Sequence, residues 1–589
     1  MKTLLALMNI VSCLLFFTFA TNCLTGDRGS SWILPLVNTN LSNVSSDPGP
    51  GTQISPISFQ YSSQNFQFVK NETITDEVPT SLDAIDHYAV FPSLPTGLSF
   101  DTTTGKIAGT PQSASTSTYQ ITAYDHQGHS SSITLNLEIK ALNWENQFFL
   151  KGSNTSTSHS FGVSTWISGD TIVAGAYGDS SFMGAAYVFK RVGTTWTQEA
   201  YLTAPLRTAT DVFGLGVAIS GDTIVVGAPL EDSAQRTITT VASSDETASG
   251  SGAAYVYRRS GAIWHLEAFL KASNADTNDA FGRFVAIDGD TIVVGAPRES
   301  SVDPTLQNGS SASADNSGTN IGAAYVFKRV GTTWTQEAYL KPQNPAANDR
   351  FGSEIGISGD TIVVGVSQDD SLGTNSGAAY VFRKVGTTWT HEAYIKASNA
   401  ASNDQFGTSV GISGNAIIIG AFGQNSNTGG AYIFERTGTT WTETAILHAP
   451  NAEANDQFAK AVAISGDTVA IASPRESNSI RTILNKGILP DPTDNGSSTS
   501  GAVYVYQKDV NWVYRSFIKT SNADPNDQVS NALAGPGPPI GEYGSLSISG
   551  DTIALGAPEE RSSQTFPSAT APIGDNTKSK SGAVYVFNR

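Results

Sequence analysis

Cysteine is nearly absent from this 589-residue chain, which contains only two. Cys13 lies inside an apolar N-terminal segment, and Cys23 lies just after that segment. Small exported domains that cannot build a sufficient core depend on paired cysteines. If the apolar segment is removed on export, the mature chain has no partner for Cys23. We therefore expect burial and hydrogen bonding, not disulfides, to hold the fold together.

Positive charge is also scarce. The chain has 34 Lys and Arg against 52 Asp and Glu, which gives a formal net charge of −18. A nucleic-acid-binding surface needs a basic footprint, so the composition excludes nucleic acid as a partner. A strong net charge of one sign suits a soluble extracellular protein, because repulsion keeps its molecules apart.

Helical periodicity and catalytic motifs are missing as well. Residues 144–589 show no sustained apolar repeat of the helical kind. The seven histidines are scattered, and there is no H-E-x-x-H, G-x-S-x-G or phosphate-binding glycine loop. The acids that follow the I-V-V-G-A-P run recur around the repeat and do not mark one centre. We expect a protein that is not an enzyme and has no cofactor.

A repeated pattern dominates what is present. Its fullest form runs from Trp334 to Lys341 (WTQEAYLK), through Asn348 to Phe351 (NDRF) and Ile357 to Gly365 (ISGDTIVVG), to Gly377–Phe382 (GAAYVF). Tryptophan begins each of seven copies, at positions 144, 196, 264, 334, 389, 441 and 512. A fixed order of motifs at a near-regular spacing is typical of repeat architectures.

Each copy contains four short apolar or alternating segments, which predict four β-strands. Ser-Gly-Asp-Thr between two apolar runs predicts a tight hairpin, since Gly and Asp tolerate positive φ. Four antiparallel strands repeated seven times predict an all-β fold, a seven-bladed β-propeller over residues 143–589. The last copy has no Trp strand after it, so the strand at 143–150 should complete the last blade.

The runs Phe213-Gly214 with Val225–Pro229, and Phe281-Gly282 with Val293–Pro297, resemble the FG-GAP repeat. That repeat builds the propeller of integrin α chains and of many bacterial surface proteins. The resemblance implies a binding fold and, in integrins, calcium loops. Here the corresponding turn is only Ser-Gly-Asp-Thr, too short for the about six to eight oxygens that calcium takes. Calcium is therefore not supported by loops of the integrin type.

A second recurring acid lies two residues before the Phe in six copies, whereas the first copy has His159, and it is a weaker candidate for metal binding. Its neighbours follow an N-x-x-x-N-D pattern that offers several oxygens. The competing interpretation is an Asx turn, in which the carboxylate binds its own backbone. The candidate metal ligands are Asp279, Asp349, Asp404 and Asp456.

Residues 53–140 differ in character from the repeats. Short alternating strands, such as Tyr119–Tyr124 and Ser132–Ile139, lie between Gly and Pro turns. Leu94–Phe100 followed by Gly105–Pro111 resembles the Ig-like, cadherin-related domains of bacterial surface proteins. The resemblance implies a small β-sandwich that acts as a spacer.

The N-terminus predicts export. Residues 1–22 have one Lys and a long apolar stretch, as a secretory signal peptide does. Residues 23–52 are rich in Ser, Asn, Thr, Gly and Pro and predict a flexible tether. Cys23 is positioned for lipidation as in an outer-membrane lipoprotein, which would attach the chain to a membrane by lipid alone. Cleavage after Ala20, giving a secreted chain, is the alternative.

Four connections between the second and third strands of a repeat are long, whereas the other three are short. They are residues 229–251, 297–321, 474–500 and 558–581. Long loops on one face of a rigid scaffold often bind partners, although neutral insertion is the alternative. Trp166 occupies a position filled by small residues in other copies, so we expect it to pack against the preceding sandwich or to line the central channel; the sandwich is favoured.

Together these features predict an exported surface protein whose propeller binds a protein, matrix or glycan partner in an adhesin-like role. An extracellular enzyme that acts on glycans or lipids is one alternative. A purely structural envelope protein is another.

Overall fold

The computed structural model describes residues 57–70, 72–140, 143–527, 529, 531–532, 543–571 and 574–589. The signal peptide at 1–22, the tether at 23–52 and Cys23 lie outside these ranges. The chain divides into two compact units, Met1–Ile57 and Ser58–Arg589, and all described residues except Ile57 belong to the second. No helix in the described ranges is long and apolar enough to cross a membrane.

The N-terminal part of the second unit is a small all-β domain of three sheets. Its strands are β1 (Phe59–Gln60), β2 (Asn65–Val69), β3 (Thr80–Ser81), β4 (His87–Phe91), β5 (Leu98–Phe100), β6 (Ile107–Gly109), β7 (Ser115–Tyr124) and β8 (Ser130–Lys140). The main sheet has the order β2-β8-β7-β4, and β1-β3 and β5-β6 form the other two. Ile121 and Leu135 are fully buried while their strand neighbours face outwards, because one face of the sheet covers the core.

Seven further sheets of four or five strands follow in the described part of residues 143–589. Six have four main antiparallel strands in chain order, and the last adds a strand from the start of this region to three of its own. The first four sheets comprise β10 (Thr165–Ser168), β11 (Thr171–Ala176), β12 (Ala185–Val192) and β13 (Thr195–Leu202); β14 (Val217–Ser220), β15 (Thr223–Ala228), β16 (Ala253–Ser260) and β17 (Ile263–Leu270); β18 (Phe284–Asp288), β19 (Thr291–Ala296), β21 (Ala323–Val330) and β22 (Thr333–Leu340), with β20 (Gln307–Asn308) at the edge; and β23 (Glu354–Ser358), β24 (Thr361–Val366), β25 (Ala378–Val385) and β26 (Thr388–Ile395).

The remaining three sheets have the same order. They comprise β27 (Ser409–Ser413), β28 (Ala416–Ala421), β29 (Gly430–Thr437) and β30 (Thr440–Leu447); β31 (Ala461–Ser465), β32 (Thr468–Ser473), β34 (Ala502–Lys508) and β35 (Trp512–Ile518), with β33 (Ile483–Leu484) at the edge; and β38 (Leu546–Ser549), β39 (Thr552–Ala557) and β40 (Ala583–Asn588) with β9 (Glu145–Leu150). A small hairpin of β36 (Asn531–Ala532) and β37 (Tyr543–Gly544) precedes β38. Two helical turns, α1 (Asp179–Phe182) and α2 (Gln424–Asn427), lie in short connections.

The first strands of the sheets form a closed ring. Each contacts the first strands of both neighbouring sheets, and β38 contacts β10, which joins the last sheet to the first. Hydrogen bonds reinforce this ring at the Ser-Gly-Asp turns. The backbone N–H of Gly221 donates to Ser168 Oγ at 3.1 Å, and that of Gly169 donates to Ser549 Oγ at 3.1 Å across the closure. The predicted β-propeller with a preceding Ig-like domain is confirmed.

The prediction that the strand at 143–150 completes the last sheet is also confirmed. β9 pairs antiparallel with β40, with Leu150 opposite Val584 and Phe149 opposite Tyr585. The last sheet is therefore built from both ends of the repeat region. This arrangement leaves no unpaired fourth strand in the ring and joins the sheets without an additional cap.

The glycines of the F-G and G-A-x-Y motifs allow neighbouring sheets to approach closely. Gly252 and Phe281 form a parallel bridge between consecutive sheets. Gly252 has a φ of +84°, and an added Cβ would lie 2.0 Å from the carbonyl oxygen of Phe281. Gly282 has a φ of +90°, and its Cβ would lie 2.1 Å from the carbonyl oxygen of Ala253. No other residue type fits either position.

The acids of the Ser-Gly-Asp turns have structural partners. Asp222 accepts a hydrogen bond from Arg259 Nε at 2.9 Å, and the Arg259 guanidinium lies 5.5 Å from the Trp264 ring centroid. Arg329 repeats this arrangement with Asp290 and Trp334. In the fifth copy Asn415 replaces the acid and still accepts from Arg436. These residues join the turn to the outer strands.

Candidate functional site

The long connections and the N-D-x-F loops lie together at one end of the ring, which we call the loop face. Each long connection hydrogen-bonds the loop before the first strand of the next sheet, which is an N-D-x-F loop in every case but the first sheet. The N–H of Asn278 donates to Ser249 O at 2.8 Å, and the N–H of Asn348 donates to Thr319 O at 2.9 Å. The Ser-Gly-Asp turns occupy the other end, because the first strand of each sheet runs from one end to the other.

One aspartate closes each long connection in the same way. In every case it accepts hydrogen bonds from the backbone near the start of the connection and from a residue two positions after itself. It also stands at the same distance before the glycine of the G-A-x-Y run. These aspartates are Asp245 (Ala234 N, 2.8 Å), Asp315 (Val302 N, 2.8 Å), Asp494 (Ser479 N, 3.0 Å) and Asp575 (Ser563 N, 2.8 Å).

These hydrogen bonds stabilise the charged form of each aspartate. Hydrogen bonds from Thr247 and Ala234 hold the pKa of Asp245 below its usual range. At Asp575, burial acts to raise the pKa, but hydrogen bonds from Ser563 and Thr577 outweigh it and lower the pKa to about 2. The long connections therefore have a shared, built geometry, which the interpretation as neutral insertions does not explain.

The long connections also cover the outer edge of their sheets. β20 pairs with β22 and β33 pairs with β35, while Thr239 bridges to Phe269 and Ser568 to Phe149. Asn485 clamps the next sheet, because its side chain accepts from Trp144 N at 2.9 Å and donates to Trp144 O at 2.8 Å. Covering an edge strand removes a template for non-specific pairing.

Each long connection exposes at least one large apolar side chain to solvent. They are Val241, Val302, Ile488, Leu489 and Phe566. Single exposed apolar residues are ordinary, but a set held on ordered loops offers anchors for a partner. Phe566 is 63% exposed and is the only aromatic in this set, so it is the strongest candidate anchor.

The four candidate metal ligands are buried on the loop face and close the N-x-x-x-N-D turn. Asp279 accepts from Asp276 N at 2.9 Å, Asp404 from Ala401 N at 2.8 Å and Asp456 from Glu453 N at 2.9 Å, and Asp349 has the equivalent bond from Ala346. Burial raises the pKa of Asp279 to about 8, and that of Asp349 and of Asp456 to about 7. Burial also raises the pKa of Asp404.

Each carboxylate thus holds its loop to its own backbone, through an N–H three residues before it and not two residues after it as in an Asx turn. Among the described residues, no group of three or more His, Cys, Asp or Glu is arranged to hold a metal ion. Calcium binding by Asp279, Asp349, Asp404 or Asp456 therefore stays a prediction.

Buried ion pairs lie beneath these turns and account for the recurring acids that follow I-V-V-G-A-P. Glu299 and Lys341 are both fully buried, with 2.8 Å between Oε2 and Nζ. The same pair occurs in four other sheets, as Glu231–Lys271, Asp369–Lys396, Glu476–Lys519 and Glu560–Lys151. In the fifth copy the neutral Gln424 stands at the acid position. These acids anchor each connection to the end of the fourth strand of the same sheet.

The central channel contains charged residues that the sequence analysis missed. A cavity of about 160 Å³ is lined by the first strands of all seven sheets. Arg283 and Glu354 line it, and Lys460 acts electrostatically on Glu354. Ser409 and Ala461 occupy the position of Glu354 in the next two copies. A charged residue among small ones at this inner-strand position is the signal that could have identified them.

Trp166 lines this channel, packed against core residues of the neighbouring sheets. The favoured expectation, that it packs against the preceding sandwich, was wrong. The position of β10 explains the difference. Trp166 lies on β10, the first strand of its sheet, and the first strands of all seven sheets line the channel.

Six segments match the family model of the FG-GAP repeat: residues 144–189, 196–257, 264–327, 334–382, 389–434 and 441–506. Together they cover more than half of the chain. This chain belongs to the FG-GAP repeat family. The matches end before the last sheet, where the FG-GAP pattern is interrupted by the β36–β37 hairpin. A model of Ig domains matches residues 38–140, beginning inside the predicted tether.

Solved structures resemble the chain only distantly. Sqt1 from Chaetomium thermophilum is 13% identical over 76% of this chain and 100% of its own, with a TM-score of 0.38. Pyrococcus horikoshii acylaminoacyl peptidase is 10% identical over 67% of this chain and 49% of its own, with a TM-score of 0.33. The chain thus spans about half the length of this peptidase. TM-scores this low do not support a comparison of function. No curated protein matches the sequence.

The FG-GAP repeats and the Ig-like domain indicate a surface or binding module. FG-GAP propellers are typically binding folds without enzymatic activity. A fold of this kind does not identify a ligand, which has to be argued from the site.

Proposed function

We propose that this protein is exported to the cell envelope surface, or secreted, and that its propeller binds a protein, matrix or glycan partner in an adhesin-like role. The observation that carries the proposal is the loop face. Four long connections there share one aspartate closure and are held on a rigid ring. Loops positioned by a rigid scaffold are where binding function concentrates.

The arrangement of the long connections around the ring supports a single binding surface. They belong to the second, third, sixth and seventh sheets, and the first sheet with its short connection lies between them. A partner that contacts several of them would lie over the first sheet. Val241 and Phe566 stand on the two connections that flank this position and are both well exposed. Apolar anchors surrounded by polar loop residues are typical of binding hot spots.

Attachment to a membrane would come from lipid at Cys23, and cleavage after Ala20 would instead release the chain. The experiment is metabolic labelling with a radioactive fatty acid, followed by fractionation of cells that express the full chain. Label that disappears in Cys23→Ser supports the lipoprotein. Unlabelled protein in the medium, unchanged by Cys23→Ser, supports the secreted form. The protein would be attached to the cell surface only if Cys23 carries the lipid.

The binding proposal is tested with the purified mature protein on an array of matrix proteins, plasma proteins and glycans. The chain supplies its own short replacement, because residues 367–376 connect the same two strands in the fourth sheet. Each of 229–251, 297–321, 474–500 and 558–581 is replaced by this segment, singly and together. We expect a saturable partner whose binding is lost in the combined variant. A combined variant that folds and still binds would contradict the proposal.

A point-mutant set separates recognition from loop folding. Val241, Val302, Ile488, Leu489 and Phe566 are changed to Ser, which should weaken binding. The control changes exposed valines at the opposite end of the sheets, Val192, Val330, Val385 and Val510, to Ser. The control should bind as the wild type does. Equal loss in both sets would show that binding is not confined to the loop face.

Calcium is tested in the same assay. The array is read with and without EDTA and with added calcium. Loss of binding in EDTA that calcium restores would support Asp279, Asp349, Asp404 and Asp456 as ligands. Unchanged binding would support their role as turn-closing acceptors.

An extracellular enzyme acting on glycans or lipids is the second candidate, and Glu354 in the channel is the observation that favours it. A glycoside hydrolase of the usual type needs two carboxylates flanking the scissile bond. The described lining of the channel includes one, Glu354. Hydrolysis of chromogenic glycosides that Glu354→Gln abolishes would establish the enzyme.

A further inference from the structure

The cavity on the propeller axis is lined by several residues that differ from their equivalents in the other repeats. Its wall combines aliphatic side chains, such as Val285, Ile355 and Val410, with polar ones, such as Ser164 and Ser409. Its volume is about 160 Å³. A protein cavity of about 150 Å³ holds a molecule the size of benzene, so the space suits a small organic ligand.

Trp166 is the one large aromatic ring at its position in the repeat. The equivalent residues are Ala218, Ala286, Gly356, Gly411, Ala463 and Ser547. The ring is partly accessible, and it reaches the cavity from the first sheet. A tryptophan face attracts organic cations more strongly than any other side-chain ring.

Glu354 enters the same cavity from the fourth sheet, across the channel from the first. Two effects act on its carboxyl, desolvation by the surrounding wall and the charge of Lys460. The residue as a whole is partly accessible. A carboxylate in a partly apolar wall is costly when it is charged and uncompensated. Consistent with this, burial raises the pKa of Glu354 to about 8, although the positive charge of Lys460 acts to lower it.

Ser547 adds a third polar group. It belongs to the last sheet, is 6% exposed and lines the cavity, and its Oγ has no hydrogen-bond partner. Unsatisfied buried hydroxyls are uncommon in folded proteins. A ligand that carries a hydroxyl or N–H group would satisfy this atom.

We propose that the axial cavity binds one small organic cation, an alkylammonium or quaternary ammonium compound, between the Trp166 ring and the Glu354 carboxylate. The aliphatic side chains suit methyl and methylene groups, the ring face and the carboxylate suit the positive charge, and Ser547 suits a hydroxyl. This site is separate from the loop face and does not depend on the function proposed there.

Two cationic side chains lie near the site and would compete with a bound cation for the Glu354 carboxylate. The Lys460 Nζ sits 3.5 Å from the centroid of the Phe422 ring, and its charge lowers the pKa of Glu354. Arg283 lines the cavity from the third sheet but is not among the groups that shift the pKa of Glu354. The raised pKa of Glu354 favours the protonated carboxyl when the cavity is empty, and an entering cation takes the place of its proton.

The test is titration calorimetry on the full mature chain with choline, tetramethylammonium and butylamine. The control ligands are 3,3-dimethylbutan-1-ol, which has the shape of choline without its charge, and butyrate, which has the opposite charge. We expect one site for the cations and weaker binding of both controls. Binding should release protons at pH 7, seen as a heat that depends on the buffer, and affinity should rise between pH 6 and 8.

Variants assign the site. Glu354→Gln should weaken choline binding about ten- to a hundredfold, since it removes a charge-assisted contact. Trp166→Ala, which places the residue of the second copy there, should weaken it about two- to thirtyfold. The matched control is Asp360→Asn, which removes a charge from the exposed turn of the same sheet and copies Asn415 of the next. It should bind normally.

Three outcomes would overturn the proposal. They are tighter binding of butyrate or of the neutral alcohol than of choline, choline binding that Glu354→Gln and Trp166→Ala leave unchanged, and no saturable binding of any cation. If Trp166→Ala does not fold, Trp166→Phe tests the same contact with a weaker ring. Thermal unfolding of each variant separates lost binding from lost structure.

Discussion

Replacing Lys341 with Met should destabilise the propeller through the buried acid it leaves behind. The Lys341 Nζ donates to Glu299 Oε2 at 2.8 Å, Ser301 O at 2.8 Å and Gly322 O at 2.7 Å. Both charged side chains are fully buried. Removing one partner of such a pair typically costs about 3–5 kcal/mol, because the remaining charge is buried without compensation.

Neutralising the partner should recover much of this loss. The fifth copy already has a neutral version, with Gln424 at the acid position and His448 at the lysine position. His448 Nδ1 lies 3.2 Å from Gly429 O, the carbonyl equivalent to the one that Lys341 binds. The double variant Lys341→Met with Glu299→Gln has no buried charge, so we expect it to regain about half or more of the lost stability.

Thermal unfolding with local hydrogen exchange measures the effect. A ring of this size is not expected to unfold in two states, so the midpoint is compared and not converted to an absolute free energy. At about 2.1 cal/mol/K of unfolding entropy per residue, about 4 kcal/mol shifts the midpoint by about 4 °C. Exchange should rise first in 297–321, which Glu299 anchors. A single variant as stable as the wild type, or a double variant no better than the single, would refute the reasoning.

Three further predictions follow from the same contacts. Asp575→Asn should speed proteolysis of 558–581 at pH 7 but not near pH 2, since the lowered pKa of Asp575 contributes stability that is lost as the pH falls through about 2. Asp279→Asn should raise the unfolding midpoint at pH 8 and not at pH 4, because the raised pKa of Asp279 costs the folded state stability as the pH rises towards about 8. If Asp279 is instead a calcium ligand, the variant should have a lower midpoint than the wild type only when calcium is present. Deleting 143–150 should lower the midpoint more than replacing 229–251 does, and an unchanged midpoint would contradict closure by β9.

The fold could be predicted from the sequence because each repeat carries the residues that the same local geometry requires. Gly252 and Gly282 are required by the close approach of neighbouring sheets, so these glycines recur in the repeats. The Ser-Gly-Asp turn recurs because its Ser accepts a hydrogen bond from the next turn and its Asp binds an Arg. Closure by β9 followed from the order of motifs, since the last copy has three of its four strands.

The ordered geometry that the long connections share was harder to predict. Their sequences differ in length and are rich in Ser, Asn and Thr, which also describes unstructured insertions. The shared aspartate is visible only when the connections are aligned backwards from the G-A-x-Y glycine, as Asp245 with Gly252 and Asp575 with Gly582. Its partners, Ala234 and Ser563, stand at the other end of each connection, so the contact itself belongs to the folded loop.

Trp166 could be singled out from the sequence, but its place beside Glu354 in one channel was harder to predict, because a propeller brings together residues that are far apart in the chain. Trp166 and Glu354 come from the first and fourth copies and face one cavity only because the ring closes. A search for neighbouring acids, bases and histidines along the sequence cannot find such a pair. The informative signal is instead a single residue that departs from its equivalents in the other copies. Comparing each inner-strand position around the ring selects Trp166, Arg283, Glu354 and Lys460, and this comparison is the more productive way to read a closed repeat for function.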